Sequence, residues 1–276
     1  MNDKITGGQV KLCCATFYQS DVVRMLLGDV LHPGGLALTR HLGTLIGLRQ
    51  TDQVLDVACG RGASAIHLAK CFGCRVTGID YGPENVAAAE ADAAAHGVAH
   101  LTAFRRGDAE RLPFAAGSFD AVISECSFCT FPDKATAAAE IARVLRRGGR
   151  LGLTDMTMKG ALPQDIQSLL SWVVCIAGAG TPEQYVATLQ AAGFTSFHIE
   201  DQHAALLELV DNVRRKLMGL QLALLLRKLN VDEVLDKLNL GHLDMSQGKS
   251  LARRVVELIE SGVIGYTLIT AKRVAQ

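Results

Sequence analysis

From Val54 to Thr154 the chain alternates between short apolar runs and longer stretches whose apolar residues recur at helical spacing. VLDVA, starting at Val54, predicts a strand, and SAIHLAKCF predicts a helix. RVTGID predicts a second strand ending at Asp80, and NVAAAEADAAAHG a helix that Gly97 stops. LTAFRRGDA reads as a third strand and its exit, and FDAVISE as a fourth strand. DKATAAAEIARVL is the next helix, with Gly148 and Gly149 expected to close it, and RLGLTDMT is a fifth strand. Strands alternating with helices in this rhythm build a parallel sheet covered on both faces. Right-handed crossovers bring the loops that follow the strands to one edge, where ligands collect.

The flanks read differently. Residues 1–50 form a helical lead-in, with FYQSDVVRMLLG from Phe17, a break at the HPGG of His32 to Gly35, and LALTRHLGTLIGL after it. Residues 51–158 form the sheet core, and 159–276 a helix-rich addition. In that addition 163–177 suggests a helix. TPEQYVATLQAAGF predicts a firmer one, because Thr181 can cap and Pro182 suits the first turn. Leu206 to Leu240 suggests one or two amphipathic helices, SLARRVVELIES another, and VIGYTLITAKR a last strand able to rejoin the sheet edge.

Composition narrows the class. Hydrophobic residues make up 49% and charged residues 20%, enough apolar material for a large core and too much for global disorder. Lysine plus arginine and aspartate plus glutamate each total 28, so no net basic charge argues for nucleic acid as a partner. The start shows no export signal, and LMGLQLALLL at 217 to 226 is too short to span a bilayer. A cytoplasmic location is the default expectation, and there the eight cysteines need not form bridges.

Candidate chemistry sits in the loops after the strands. The turn from Asp56 to Gly62, DVACGRG, joins a strand to a helix with little side-chain bulk. Such a turn either brings bare backbone to a ligand or meets a steric need of strand–helix packing. Asp80 ends the second strand, where a carboxylate can accept from ribose hydroxyls. Asp108, after the third strand, can meet the amino group of an adenine.

The ordered set VLDVACGRG, VTGID, GDAERLPF, FDAVIS and ARVLRRGGRLGL resembles the class I methyltransferases that use S-adenosylmethionine. The resemblance implies an α/β, Rossmann-like sheet with the helical lead-in and C-terminal addition as appendages. It implies that Asp56, Ala58, Cys59, Gly60 and Gly62 surround the methionine part of the cofactor. Asp80 would hold the ribose, Tyr81 would lie by the adenine, and Asn85 would also bind the cofactor. Asp108 and Ala109 would contact the adenine, and Ser124 and Glu125 would close the pocket near the sulfonium. A nicotinamide-dependent oxidoreductase would favour GxGxxG, which this turn lacks.

The loop ECSFCTFPDK, from Glu125 to Lys134, resembles a segment of the arsenite methyltransferases, as does VVCIAGAGTPEQY. That narrower likeness implies that Cys126 and Cys175 hold trivalent arsenic through soft thiolates. Glu125 stands where that family has asparagine. Cys129, three residues after Cys126, could serve chemistry or burial, while Cys71 and Cys74 read as buried small hydrophobes. Glu125 also admits another mechanism, as a base toward an organic hydroxyl, amine or carbon acid, with His32 as a candidate partner. Tyr18 completes the expected catalytic set of Cys126, Cys175, Glu125 and Tyr18, either packing on the cofactor or covering the core. Trp172 either lines the acceptor pocket or belongs to the core.

The expected partner is therefore a small molecule or metalloid. The apolar stripe within Asp211 to Lys228 reads as core, as a contact between two copies in a homodimer, or as a membrane-surface face. A binding protein that keeps the scaffold without turnover is the alternative outside the enzymes.

Overall fold

The computed structural model describes residues 7–19, 28, 30–160, 178–225 and 245–275. Two helices lead in, α1 (Gly7–Gln19) and α2 (Gly35–Leu45). The alternating region follows as β1 (Gln53–Val57), α3 (Ala63–Phe72), β2 (Arg75–Asp80), α4 (Pro83–Ala95), β3 (Thr102–Arg106) and β4 (Phe119–Glu125). After a short 3-10 turn at Phe128–Thr130 come α5 (Lys134–Val144) and β5 (Leu145–Met158). The last third holds α6 (Pro182–Ala191), β6 (Phe194–Asp201), α7 (His203–Leu225), α8 (Met245–Glu260) and β7 (Ile264–Arg273).

These strands form one sheet in the order β3-β2-β1-β4-β5-β7-β6. β1 to β5 run parallel, as the alternation of apolar runs predicts. The centre is dry: Val54, Leu55, Val57, Ala121, Val122 and Ile123 have no exposed surface. Right-handed crossovers place α3 and α4 over one face and α5 over the other. The chain reverses its direction of travel across the sheet between β1 and β4, which opens a crevice at their carboxyl ends.

The lead-in is not a separate unit. Leu42 of α2 is fully buried, and a Cβ on Gly43 would come within 2.7 Å of the Phe72 ring. α2 can therefore lie close against α3 only through a residue with no side chain.

Three expectations need correction. The sheet is mixed, because β7 runs antiparallel to both β5 and β6. β7 does not lie at the edge, which belongs to β6, a strand that the helical reading of AAGF left unrecognised. The burial of Ile264, Tyr266 and Leu268 explains the apolar residues in the first half of β7. Gly148 and Gly149 do not close α5, which stops at Val144. They lie inside β5, where Phe119 pairs with Leu145 but Ala121 with Arg150, and Gly148 at φ 71° lets the excess residues bulge.

The helix expected at 163–177, with Trp172 and Cys175, lies outside the described residues, as do 20–27 and 226–244. Most side chains of the apolar stretch at 217–226 are outside them too. Among the described residues no helix is long and apolar enough to cross a membrane.

The cap expected at Thr181 is present as a reciprocal box: its hydroxyl accepts the Gln184 N–H, and the Gln184 side chain accepts the Thr181 N–H at 2.9 Å. Thr181→Ala should lower unfolding free energy by about 1 kcal/mol, read from the denaturant midpoint at unchanged slope.

Candidate active site

A chamber opens at the crevice between β1 and β4. Its walls come from the turn after β1, the ends of β2 and β4, the loop after β3, and the lead-in, which contributes Lys11, Cys14 and His32.

At one end the β1 turn is folded back over β2. The Cys59 N–H donates to the Ile79 carbonyl at 2.9 Å, and the Gly60 N–H to Asp80 Oδ2 at 2.9 Å. Ala58 and Gly60 both take left-handed backbone, with φ 59° and 53°, and both line the chamber. A Cβ on Gly60 would meet nothing within 4 Å, so its bare face looks into the chamber. Gly62 differs. It stands outside the lining, and a Cβ there would strike the Phe104 ring at 2.7 Å. The turn thus satisfies both readings at once, with Gly60 open toward a ligand and Gly62 required by packing.

Asp80 lines the chamber but is already engaged. Oδ1 accepts from the Gly82 N–H at 2.8 Å and from Asn85 Nδ2 at 3.0 Å, and Oδ2 accepts from Gly60. A carboxylate has about four acceptor positions, so room for one further donor remains. Asn85 therefore acts by holding Asp80, and it also reaches the wall itself. Tyr81 lies beside it, with the Arg106 guanidinium 5.8 Å from its ring centre. Asp108 and Ala109 line the same end. Asp108 accepts from Lys11 Nζ at 2.9 and 3.0 Å, and the same ammonium meets Glu110 at 2.6 Å. Lys11 was not singled out in the sequence. Nothing local marks it, because its two partners lie about a hundred positions away.

Asp56 is the buried anomaly of this end. It is 2% exposed, and its Oδ2 has no hydrogen-bond partner. Burial pushes its carboxyl well above the ordinary range, and the neighbouring charges of Glu125 and Asp80 push it further. Burial, Asp56 and Asp80 likewise raise the Cys59 thiol, which keeps it protonated and inert despite its place on the wall.

At the other end Glu125 closes β4. Ser64 and Thr39 both donate to its Oε2, at 2.6 and 2.9 Å. His32 Nε2 stands 3.6 Å from the same oxygen and within 3.3 and 3.4 Å of the two hydroxyls. His32 Nδ1–H donates to the Pro33 carbonyl at 3.2 Å, so Nε2 is the nitrogen turned toward the two hydroxyls. Glu125 Oε1 is buried and has no partner. One carboxylate oxygen is thus held by two hydroxyls while the other is left over. His32 and Glu125, paired as candidates from the sequence, do meet. Thr39 and Ser64 were not anticipated, being small hydroxyls inside two apolar helices.

Other expected site residues are placed differently. Ser124 does not close the pocket: it is fully buried, donating to the Val57 carbonyl and sharing a 2.6 Å contact with Ser127, which takes the wall position instead. Cys126 lines the chamber with left-handed backbone, φ 53°. Cys129 points into the core with no exposed surface, and its N–H donates to Asp155. Cys175 lies outside the described residues, as does the side chain of Tyr18, whose backbone closes α1. Cys74 is buried as expected, its thiol pushed up to about 11, whereas Cys71 is exposed. Among the described residues no three His, Cys, Asp or Glu side chains gather to hold a metal ion.

Comparison with known proteins fits this geometry. Residues 55–153 match the family described as methyltransferase domain. An uncharacterized protein of Haemophilus influenzae is 39% identical over 142 residues, 51% of this chain and 55% of that one, so the chain spans about half the length of that relative. The 27-O-demethylrifamycin SV methyltransferase of Amycolatopsis mediterranei is 27% identical across 92% of this chain and 93% of its own. Among solved structures, the [4+2]-cyclase SpnF superposes with a TM-score of 0.77 at 22% identity, covering 98% of both chains.

The fold is that of the class I methyltransferases, the proteins whose resemblance implies S-adenosylmethionine. The wall suits that molecule. Leaving a buried acceptor unsatisfied costs about 1–3 kcal/mol, more for a charged one, and Asp56 Oδ2 awaits a donor such as a cationic ligand supplies. The bare Gly60 backbone gives the close approach.

Two predictions follow from these walls. Gly62→Ala should cost about 2–4 kcal/mol of stability through strain and the Phe104 clash, whereas Gly60→Ala should chiefly weaken cofactor binding; thermal melts with and without cofactor separate the two. A cation beside Asp56 favours its ionised form. Cofactor binding should therefore release protons and weaken as the solution is acidified through the raised pKa. Calorimetry in buffers of different ionisation heat reads this, and Asp56→Asn should reduce the release.

Proposed function

We propose that this S-adenosylmethionine-dependent methyltransferase methylates a small organic acceptor whose hydroxyl proton passes to Glu125. The observation that carries this reading is the one-sided satisfaction of Glu125, with Oε2 held and Oε1 buried and open. Bound S-adenosylmethionine supplies an electrophilic methyl carbon and a neutral thioether leaving group. The chain's own task is placement. Gly60, Asp56 and Asp80 hold the donor end, and the acceptor lies between them and Glu125. An acceptor hydroxyl donating to Oε1 presents its oxygen lone pair to the methyl group, and its proton moves to the carboxylate as the carbon–oxygen bond forms. His32, Thr39 and Ser64 keep the carboxylate from turning away. The name of the Amycolatopsis relative, which specifies an O-linked methyl, agrees with a hydroxyl acceptor.

The second reading is methylation of trivalent arsenic. One observation favours it, the place of Cys126 on the chamber wall with Cys14 and Cys59. It is the weaker reading, because Cys59 is held as a thiol and Cys129 faces the core. Arsenite turnover that is lost in Cys126→Ser would establish it over the first.

Glu125→Gln should lower kcat by about 10²–10⁴-fold, the usual contribution of a positioned base, with cofactor affinity little changed. His32→Asn should lose less. Rates with labelled S-adenosylmethionine and an acceptor panel measure both. A Glu125→Gln variant with full turnover would sink the role of the base, and a product of unchanged mass would sink methyl transfer itself.

A further inference from the structure

We infer that the acceptor is an uncharged hydroxyl compound with a largely apolar body, and that the chamber turns away counterparts bearing a carboxylate or phosphate. The inference rests on the reading that Glu125 faces the acceptor, and it adds the charge class of the molecule.

The chamber wall includes the apolar side chains of Val30, Leu31 and Phe131, with Ser64, Ser127 and Thr130 among its neutral polar groups. Four carboxylates line the whole chamber: Asp56, Asp80, Asp108 and Glu125. Against them, among the described residues, stand Lys11, Arg61 and His32, and each is already committed. Lys11 is held between Asp108 and Glu110. Arg61 lies 3.4 Å from Asp92. His32 belongs to the Glu125 cluster.

An anionic acceptor would therefore bring its charge toward Glu125 and the partnerless oxygen of Asp56, with no uncommitted cation among the described lining residues to meet it. In a partly buried site that repulsion is weakly screened. A cationic acceptor is disfavoured because a protonated amine has no lone pair for the methyl carbon. A neutral hydroxyl meets neither obstacle. It supplies the one donor that Glu125 Oε1 lacks, and its apolar body suits the Val30–Leu31–Phe131 wall.

The test uses the full chain loaded with S-adenosylhomocysteine. Matched probes are titrated calorimetrically: phenols and aliphatic alcohols of increasing ring number, each paired with its phosphate ester and its carboxylate analogue. The neutral members should bind about 100-fold more tightly than their anionic partners, the size of a close like-charge contact at a partly buried site. In Glu125→Gln the gap should narrow at least several-fold. Anionic members that bind as well or better, a panel in which no neutral member binds, or a gap untouched by Glu125→Gln would overturn the inference. Preference for neutral binders without methylation by the S-adenosylmethionine-loaded protein would uphold it and remove the catalytic reading instead.

Discussion

Asp56, Asp80 and Glu125 lie at the carboxyl ends of three neighbouring strands, β1, β2 and β4, and all three are nearly cut off from water. A carboxylate in such a place is costly unless donors or cations meet it. Asp80 is met by three N–H groups of its own chain, and so serves as the buckle that holds the β1 turn against β2. Asp56 and Glu125 are each left with one bare oxygen, and Glu125 adds to the cost of a charge on Asp56. On the proposed reading a cationic donor molecule and a hydroxyl acceptor relieve it. The difference between the satisfied and unsatisfied members of one acidic row separates scaffold from site.

The sheet alone does not complete that site. Thr39 reaches Glu125 from α2, Lys11 reaches Asp108 from α1, and His32 comes from the turn before α2. The lead-in therefore supplies residues that hold Glu125 and Asp108. α2 can do so with precision because it is seated closely, with Leu42 buried and Gly43 against Phe72. An orienting residue on a rigid helix holds its partner better than one on a loop.

Residue type was a poor guide to role wherever environment reverses chemistry. Cys59 lies on the wall beside two carboxylates, which keep its thiol from ionising. Cys126 and Cys129, three residues apart, part company because left-handed backbone at Cys126 and the 3-10 turn after it send one to the chamber and the other to the core. Gly60 and Gly62 belong to one motif and do different work, one for the ligand and one for Phe104.

By itself the sequence determined the parallel half of the sheet, the turn after β1, the carboxylates at the strand ends and the cap at Thr181. Each of these is written in neighbouring residues, as a run of apolar side chains, a glycine pair or a Thr-x-x-Gln spacing. Tertiary structure alone decided the rest. β7 entered between β5 and β6 because two antiparallel neighbours could bury its apolar run, whereas β6, polar along most of its length, suits an edge. The Glu125 cluster gathers residues 61 and 86 positions from the carboxylate, and Lys11 crosses 97 positions to Asp108. Single hydroxyls and one lysine carry no periodicity to read, so only the folded chain shows which oxygen they hold and which they leave for a ligand.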